Sequence, residues 1–182
     1  MGKALINSSA QNNSMDVSVR EAMLGDARRI CDVHLASIEG LASQSYTEEQ
    51  VTAWAHDRDP DEYPIESEDT CFVVAEDETT AVIGFGWMKP EAGEYFQTEV
   101  EGEITAIYIH PSVTRRGVGS RIYTALEAQA TQRNVDSLGL WASRNAVSFY
   151  EAQGYERVTE HIHEYQDGIE LTLVEMKKQL NQ

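Results

Sequence analysis

Hydrophobic and polar positions divide the chain, after its first sixteen residues, into short strands and amphipathic helices with no internal repeat. Residues 17–20 read as a short strand. A helix beginning near Asp26 then brings Ile30, Val33 and Ile38 to one face. Thr47 and Gln50 have the spacing of a capping box, and Val51, Trp54 and Ala55 continue a short helix that should stop before Asp59-Pro60. The acidic, proline-containing residues 57–69 read as an exposed connection. Apolar runs at 71–75 and 81–88, parted by the polar turn 76–80, predict an antiparallel hairpin, and 104–109 a third strand after a polar connection at 89–102. From Val118 onward, Ile122, Ala125, Leu126 and Ala130 recur at helical spacing, leading to a strand at 137–141. Residues 145–153 form a further helix with Ala146, Phe149 and Tyr150 on one face and Gly154 as its stop; 155–159 and 169–176 close the sheet. The expectation is one α/β domain over 17–178, its sheet part antiparallel and part parallel, between tails at 1–16 and 179–182.

Composition narrows what this domain does. The 182 residues suit one domain rather than two catalytic units. The Asn-, Ser- and Gln-rich start lacks the apolar core of a secretory signal, and Cys31 and Cys71 are too few for a disulfide framework, which together suggest the cytoplasm. No apolar stretch reaches the roughly 18 residues of a membrane span. With 31 acidic and 14 basic residues the net charge is −17, which repels nucleic acid and anionic lipid. The scarcity of lysine beside this acid excess resembles proteins adapted to high intracellular salt. His161 and His163 have no companion Cys or carboxylate signature, so no metal is expected.

The chemistry-bearing segment joins the strand ending at Ile109 to the helix starting at Val118. Its residues Arg115, Arg116, Gly117, Val118, Gly119 and Ser120 place a glycine turn at a helix N-terminus, where free N–H groups and the helix dipole favour a phosphate. Glycines serving only close packing are the competing reading. No Gly-Lys-Ser/Thr makes it a P-loop, and the third glycine of a dinucleotide fingerprint is missing.

In its context this segment resembles the GCN5-related N-acetyltransferase (GNAT) family, whose motif runs Gln/Arg-x-x-Gly-x-Gly/Ala; Thr114 to Gly119 match it except at Thr114. Downstream, Asn145-Ala146 followed by Phe149-Tyr150 and Gly154-Tyr155 is similar to the family's Asn-Ala-x-x-Phe-Tyr-x-x-x-Gly-Phe/Tyr segment. The resemblance implies a GNAT-like domain with a mostly antiparallel central sheet flanked by helices. It also implies acetyl-CoA as co-substrate, an amine of a small molecule or peptide as acceptor, and direct attack of the amine on the thioester.

It further implies that Ile107, Tyr108 and Ile109 follow the pantetheine arm. The N–H groups of Arg116, Gly117, Val118, Gly119 and Ser120 would surround the pyrophosphate, with Arg115 and Arg116 offsetting the negative field. Asn145, or Ser143 in the commoner register of the motif, would touch the pantetheine or adenosine part. Tyr150 would protonate the departing thiolate, with packing beside Phe149 as its alternative role. An alkyl ammonium has a pKa of about 10.4, so attack needs a base or a relaying water. Glu103 is the first candidate, because strand alternation puts it on one face with Thr105, Ile107 and Ile109; a solvated strand-end carboxylate is the competing reading. His110 either relays a proton or caps the turn at Pro111. Family members often pair through their late strands, which leaves a homodimer open. The alternative function is a non-catalytic acyl-CoA-binding regulatory module.

Overall fold

The computed structural model describes residues 15–55 and 58–180. The expected N-terminal tail therefore lies outside the described residues except for its last two positions, as do Asp57 of the acidic connection and the last two residues of the C-terminal tail.

Among the described residues seven strands form one sheet: β1 (Ser18–Glu21), β2 (Cys71–Glu76), β3 (Val82–Lys89), β4 (Gly102–Ile109), β5 (Ser137–Ser143), β6 (Glu156–Glu164) and β7 (Glu170–Gln179). Their order is β1-β2-β3-β4-β5-β7-β6, and every neighbouring pair is antiparallel except β4 with β5. This is the mixed, mostly antiparallel sheet that the motifs imply. Among the described residues no helix is long and apolar enough to cross a membrane.

Four α-helices among the described residues cover the sheet. On one face, α1 (Ala27–Leu41) buries Ile30 and Val33 against Val74 and Phe85, while α2 (Glu48–Ala55) packs Val51, Trp54 and Ala55 with Ile38 of α1. The capping box forms as read, with Gln50 N–H donating to Thr47 Oγ1 at 3.2 Å and Thr47 N–H to Gln50 Oε1 at 3.0 Å. On the other face, α3 (Val118–Gln132) buries Ile122 and Leu126, and α4 (Val147–Ala152) buries Val147 and Tyr150, against Ile104, Leu138, Leu140 and Met176.

The closing strands run further than hydrophobic alternation predicts, β6 to Glu164 and β7 to Gln179. β6 is a sheet edge whose side chains are mostly exposed, so its pairing rests on the backbone and leaves little apolar period to read. The end of β7 is held by pairing with β5, Gly139 opposite Lys177 and Ser137 opposite Gln179. Position 179 is thus strand rather than tail.

A second difference decides the site. The β3–β4 register shifts, with Trp87 opposite Ala106 but Met88 opposite Ile104, which leaves Thr105 as the extra residue of a bulge. The bulge breaks the alternation expected from Glu103. Ile107 and Ile109 pack with Ile104 towards α3, whereas Glu103 lies on the opposite face, bonded to residues 93 and 95. Glu103 therefore does not share a face with Ile107 and Ile109.

Gly84 and Gly86 let α3 approach β3 closely: a Cβ on Gly86 would lie 2.8 Å from the Ala106 carbonyl oxygen and 2.9 Å from Ile122 Cγ2. Gly86→Ala is expected to lower unfolding stability by about 1–3 kcal/mol through overpacking against backbone, read as a shifted chemical-denaturation midpoint at unchanged slope.

Candidate active site

β4 and β5 pair only at Gly102–Leu138 and Glu103–Gly139. Beyond these positions β4 stays with β3 and β5 with β7, so the sheet opens between two adjacent strands. Main-chain groups of β4 that face away from β3 from residue 104 onward consequently have no strand partner on that side.

Two cavities meet at this opening. The wider, about 600 Å³, lies between the residues from Glu103 to Tyr108 on one side and Trp141 to Ser143 on the other, with Trp54 and Tyr165 across it. The narrower, about 420 Å³, runs from Ile38 of α1 past Ile107, Tyr108 and Ile109 to the start of α3 and to Asn145. Both are lined by Trp54, Ile107, Tyr108, Ser143, Ala146 and Tyr150, so they share a waist.

The narrow cavity ends in the glycine turn. His110 caps the short 3-10 turn Pro111–Val113, accepting from Ser112 N–H at 3.2 Å and bonding Ser112 Oγ at 2.7 Å, so the capping role is the one it fills here. Arg115 (φ 62°) and Gly117 (φ 77°) both take left-handed backbone. Gly117 has no atom within 4 Å of a built Cβ, so its glycine answers to conformation; at Gly119 a Cβ would stand 3.3 Å from Phe149, so that glycine answers to space. The first bond back into the helix is Arg121 N–H to Gly117 O at 3.1 Å, which leaves the N–H groups of Val118, Gly119 and Ser120 in the unpaired first turn.

Arg115, Gly117, Val118, Gly119 and Ser120 all line this cavity. Arg116 does not: its N–H turns to the Val113 carbonyl at 3.4 Å and its side chain is exposed. Asn145 lines the cavity with a buried Oδ1 that has no hydrogen-bond partner among the described residues. A buried, unpaired acceptor on a residue that lines the groove is one that a polar ligand arm could satisfy. The unpaired first turn of α3 and the exposed Arg115 suit an anionic end, so the residues present fit a coenzyme with a pyrophosphate and an amide-bearing arm.

Tyr150 stands at the waist, 7 % exposed, with Phe149 at 5.0 Å and Tyr155 at 5.7 Å between ring centroids. Burial, reinforced by Tyr155 and Tyr108, pushes its phenol far above the ordinary tyrosine range, so it stays protonated at any physiological pH. Tyr108 beside it is likewise pushed up, chiefly by burial, and its ring lies tilted against His34 at 4.0 Å between centroids.

Glu103 is 1 % exposed and accepts from four donors: the Tyr95 hydroxyl, Gly93 N–H at 3.1 Å, the Thr105 hydroxyl at 3.1 Å and Lys89 Nζ at 3.1 Å. Burial pushes its carboxyl up, but these donors outweigh it and hold the pKa below the usual range. Each oxygen serves two donors, which fills the acceptor positions of a carboxylate. It is not the solvated strand-end carboxylate of the competing reading.

Sequence reasoning missed the wall that completes the wide cavity. Tyr95 and Phe96 come from the polar connection before β4, and Phe96 packs where Gly139 has no side chain, 3.0 Å from the built Cβ. This wall is tied down by Glu175, 0 % exposed, which accepts from Gln97 N–H at 3.0 Å, Thr98 N–H at 2.9 Å and His161 Nε2 at 2.5 Å. Burial raises the Glu175 carboxyl and the Gln97, His161 and Thr98 donors more than offset it, leaving it depressed. A carboxylate inside the apolar run of β7 was the available signal. His161 also stacks on Trp141 at 4.3 Å, so it serves the wall; among the described residues no group of three His, Cys, Asp or Glu is placed to hold a metal.

A helix start open to anions on one side of parted strands, and an aromatic chamber on the other, make an α/β fold built to bring two ligands together at one point. The chain belongs to the acetyltransferase (GNAT) family, whose model matches residues 36–155. It is 28% identical over 164 residues to an uncharacterized N-acetyltransferase, YuaI, of Bacillus subtilis (strain 168), covering 89% of this chain and 90% of that one. Among solved structures, a GCN5-related N-acetyltransferase from Rhodopseudomonas palustris superposes with TM-score 0.77 at 27% identity, over 91% of this chain and 97% of the other. A phosphinothricin acetyltransferase from Sinorhizobium meliloti in complex with AcCoA shares the fold at TM-score 0.67 and 19% identity, over 90% and 88% of the two chains.

Both buried carboxylates have depressed pKa values, so the stability they contribute is present above the ordinary carboxylate pKa of about 4.3 and is lost as pH falls through their lower folded values. Glu175→Ala, which strands the Gln97 and Thr98 amides and His161, should cost roughly 2–4 kcal/mol at pH 7 and flatten the acid limb of a stability–pH curve. An unchanged acid limb would show that Glu175 titrates alike in folded and unfolded chains.

Proposed function

We propose that this protein transfers an acetyl group from acetyl-CoA to a primary amine of a small molecule or peptide by direct attack. The observation that carries the reading is the shared waist, where two chemically different cavities meet at Tyr108 and Tyr150 in the gap between β4 and β5. The comparisons favour the coenzyme, since the Sinorhizobium meliloti structure holds AcCoA in the same fold.

In this reading acetyl-CoA supplies an activated acyl group and a thiolate leaving group. The pyrophosphate is received by the N–H groups of Val118, Gly119 and Ser120, with Arg115 nearby. Ile107, Tyr108 and Ile109 with Asn145 hold the arm, the unpartnered main chain of β4 supplying the hydrogen bonds that β5 does not take. An N–H of that free edge, near Ile109, meets the negative charge that develops on the thioester oxygen.

The acceptor amine enters from the wide cavity, where the Glu103 anion favours the ammonium form electrostatically. Because its acceptor positions are filled and its pKa is depressed, Glu103 holds the ammonium rather than deprotonating it; the Thr105 hydroxyl, which donates to it at 3.1 Å and lines the cavity, orients the water that takes the proton to solvent as the amine attacks. Thr105 is the bulged residue, so the register shift is what presents this hydroxyl. Tyr150, held protonated by burial, gives its proton to the thiolate as the C–S bond breaks and regains one from solvent.

Tyr150→Phe should leave acetyl-CoA affinity within about twofold while slowing amine-dependent thiol release by about 10²–10³-fold, measured by calorimetry and a thiol-release assay. Normal turnover in the variant removes the acid role from Tyr150. Wild-type binding of acetyl-CoA with no release to any amine would instead favour the non-catalytic acyl-CoA-binding module.

A further inference from the structure

The wide cavity has a composition that the coenzyme chemistry does not require. Trp54, Tyr95, Phe96, Tyr108, Trp141 and Tyr165 surround it, and Glu103 is the one acidic side chain among its described lining residues. No Lys or Arg is among its described lining residues. Of two cations in neighbouring segments, Lys89 pairs with Glu103 at 3.1 Å, and Arg58 donates to the Trp54 carbonyl at 2.9 Å while its buried Nε has no hydrogen-bond partner among the described residues.

The aromatic faces are held rather than loose. Tyr95 meets Trp141 edge-on at 5.3 Å, and Phe96 lies 4.9 Å from Tyr95. Trp141 is backed by the His161 ring at 4.3 Å, and His161 is fixed by Glu175. Tyr165 is braced by His163 at 4.6 Å. Tyr95 is 50 % exposed and stands at the mouth.

Such a chamber rewards a flat apolar body and a positive charge, and penalises a negative one. Aromatic faces attract an ammonium and stack on a ring. A carboxylate brought in beside the amine would meet Glu103, with no Lys or Arg and only the His163 imidazole among the described lining residues to meet its charge, so its lost hydration is poorly replaced.

From this the geometry points to an arylalkylamine as the acceptor, a primary amine on a short chain from an aromatic ring, with no carboxylate next to the nitrogen. This inference rests on the transferase reading above and names its acceptor class. The ring lies among Trp54, Trp141 and Tyr165, with the nitrogen at the waist between Glu103 and Tyr150.

The experiment pairs each amine with the amino acid that differs from it by one carboxylate: phenethylamine with phenylalanine, tyramine with tyrosine, tryptamine with tryptophan, and ethanolamine as a small polar control. Two readouts are taken on the full chain: kcat/KM from thiol release with acetyl-CoA, and direct binding of tryptamine and tryptophan by saturation-transfer NMR in the presence of CoA. The expected result is a preference for each amine over its amino acid on the order of 100-fold in kcat/KM, with tryptamine alone giving a binding signal.

Trp141→Leu and, separately, Tyr165→Leu should raise KM for tryptamine by about tenfold with a smaller change in kcat, and thermal melting of each variant separates a lost contact from a lost fold. Equal turnover of amines and amino acids, or ethanolamine as the best acceptor, overturns the acceptor class while leaving the transferase intact. Tryptamine binding without acetyl transfer to any amine supports the chamber's selectivity and removes the transferase reading. Absence of tryptamine binding together with absence of transfer to it overturns the inference.

Discussion

The site depends on how few rungs join β4 to β5. A parallel pair that continued along both strands would satisfy their facing main-chain groups and close the sheet. Here pairing stops after Glu103–Gly139, and the strands part where Tyr108 and Tyr150 stand. Freed main-chain groups are costly unless water or a ligand meets them. The opening is therefore stable as a solvated groove and receptive to an extended molecule with its own donors and acceptors. The helices α3 and α4 on one face and α1 and α2 on the other cover the sheet on both sides of the opening, and the cluster beneath α3 and α4 runs under both halves.

The bulge at Thr105 belongs to the same constraint. Ile104, Ile107 and Ile109 all pack towards α3, an arrangement that simple alternation forbids, so the strand gains one residue between them. The extra residue turns Glu103 away from the α3 core and exposes Thr105 to the cavity. Core packing on one face thus sets the chemistry on the other. It also explains why a fully buried carboxylate survives in β4: Tyr95, Gly93, Lys89 and Thr105 saturate it, and in doing so anchor the segment that walls the chamber.

Much of this was legible in the residues, and the gaps have physical causes. The hairpin of β2 and β3, the capping box at Thr47, the β4–α3 junction and the order of the late elements follow from local rules of period and turn chemistry. Those rules act within a few residues. The groove residues Gly117, Gly119, Asn145 and Tyr150 were readable because their motifs are local too. What local rules cannot give is register between distant strands, so alternation put Glu103 on the wrong face relative to Ile107 and Ile109. Nor do they show which polar connection folds over the sheet. Tyr95 and Phe96 looked like loop residues, yet Gly139, with no side chain, leaves the hole that Phe96 fills. Glu175 carried a signal, a charge in an apolar strand, but its partners at Gln97 and Thr98 lie 78 and 77 positions away.

The charge of the chain sharpens the division between the two cavities. A net charge of −17 opposes the approach of any polyanion at long range, yet at physiological ionic strength that field fades over about 8 Å. Inside that distance the outcome is set by what the groove presents, which at the α3 start is first-turn N–H groups and the exposed Arg115, with no carboxylate among the described lining residues. At the other end the sign is reversed, with Glu103 and aromatic faces in place of N–H groups. One continuous groove therefore has an end that favours anions and an end that favours cations, and Tyr150, neutral because it is buried, lies between them. A ligand with a phosphate tail and another with an ammonium group would be sorted to opposite ends by these local fields, and their reactive groups would meet at the waist. In that sense the same polarity that selects each ligand also orients it, with no element of the fold required to move.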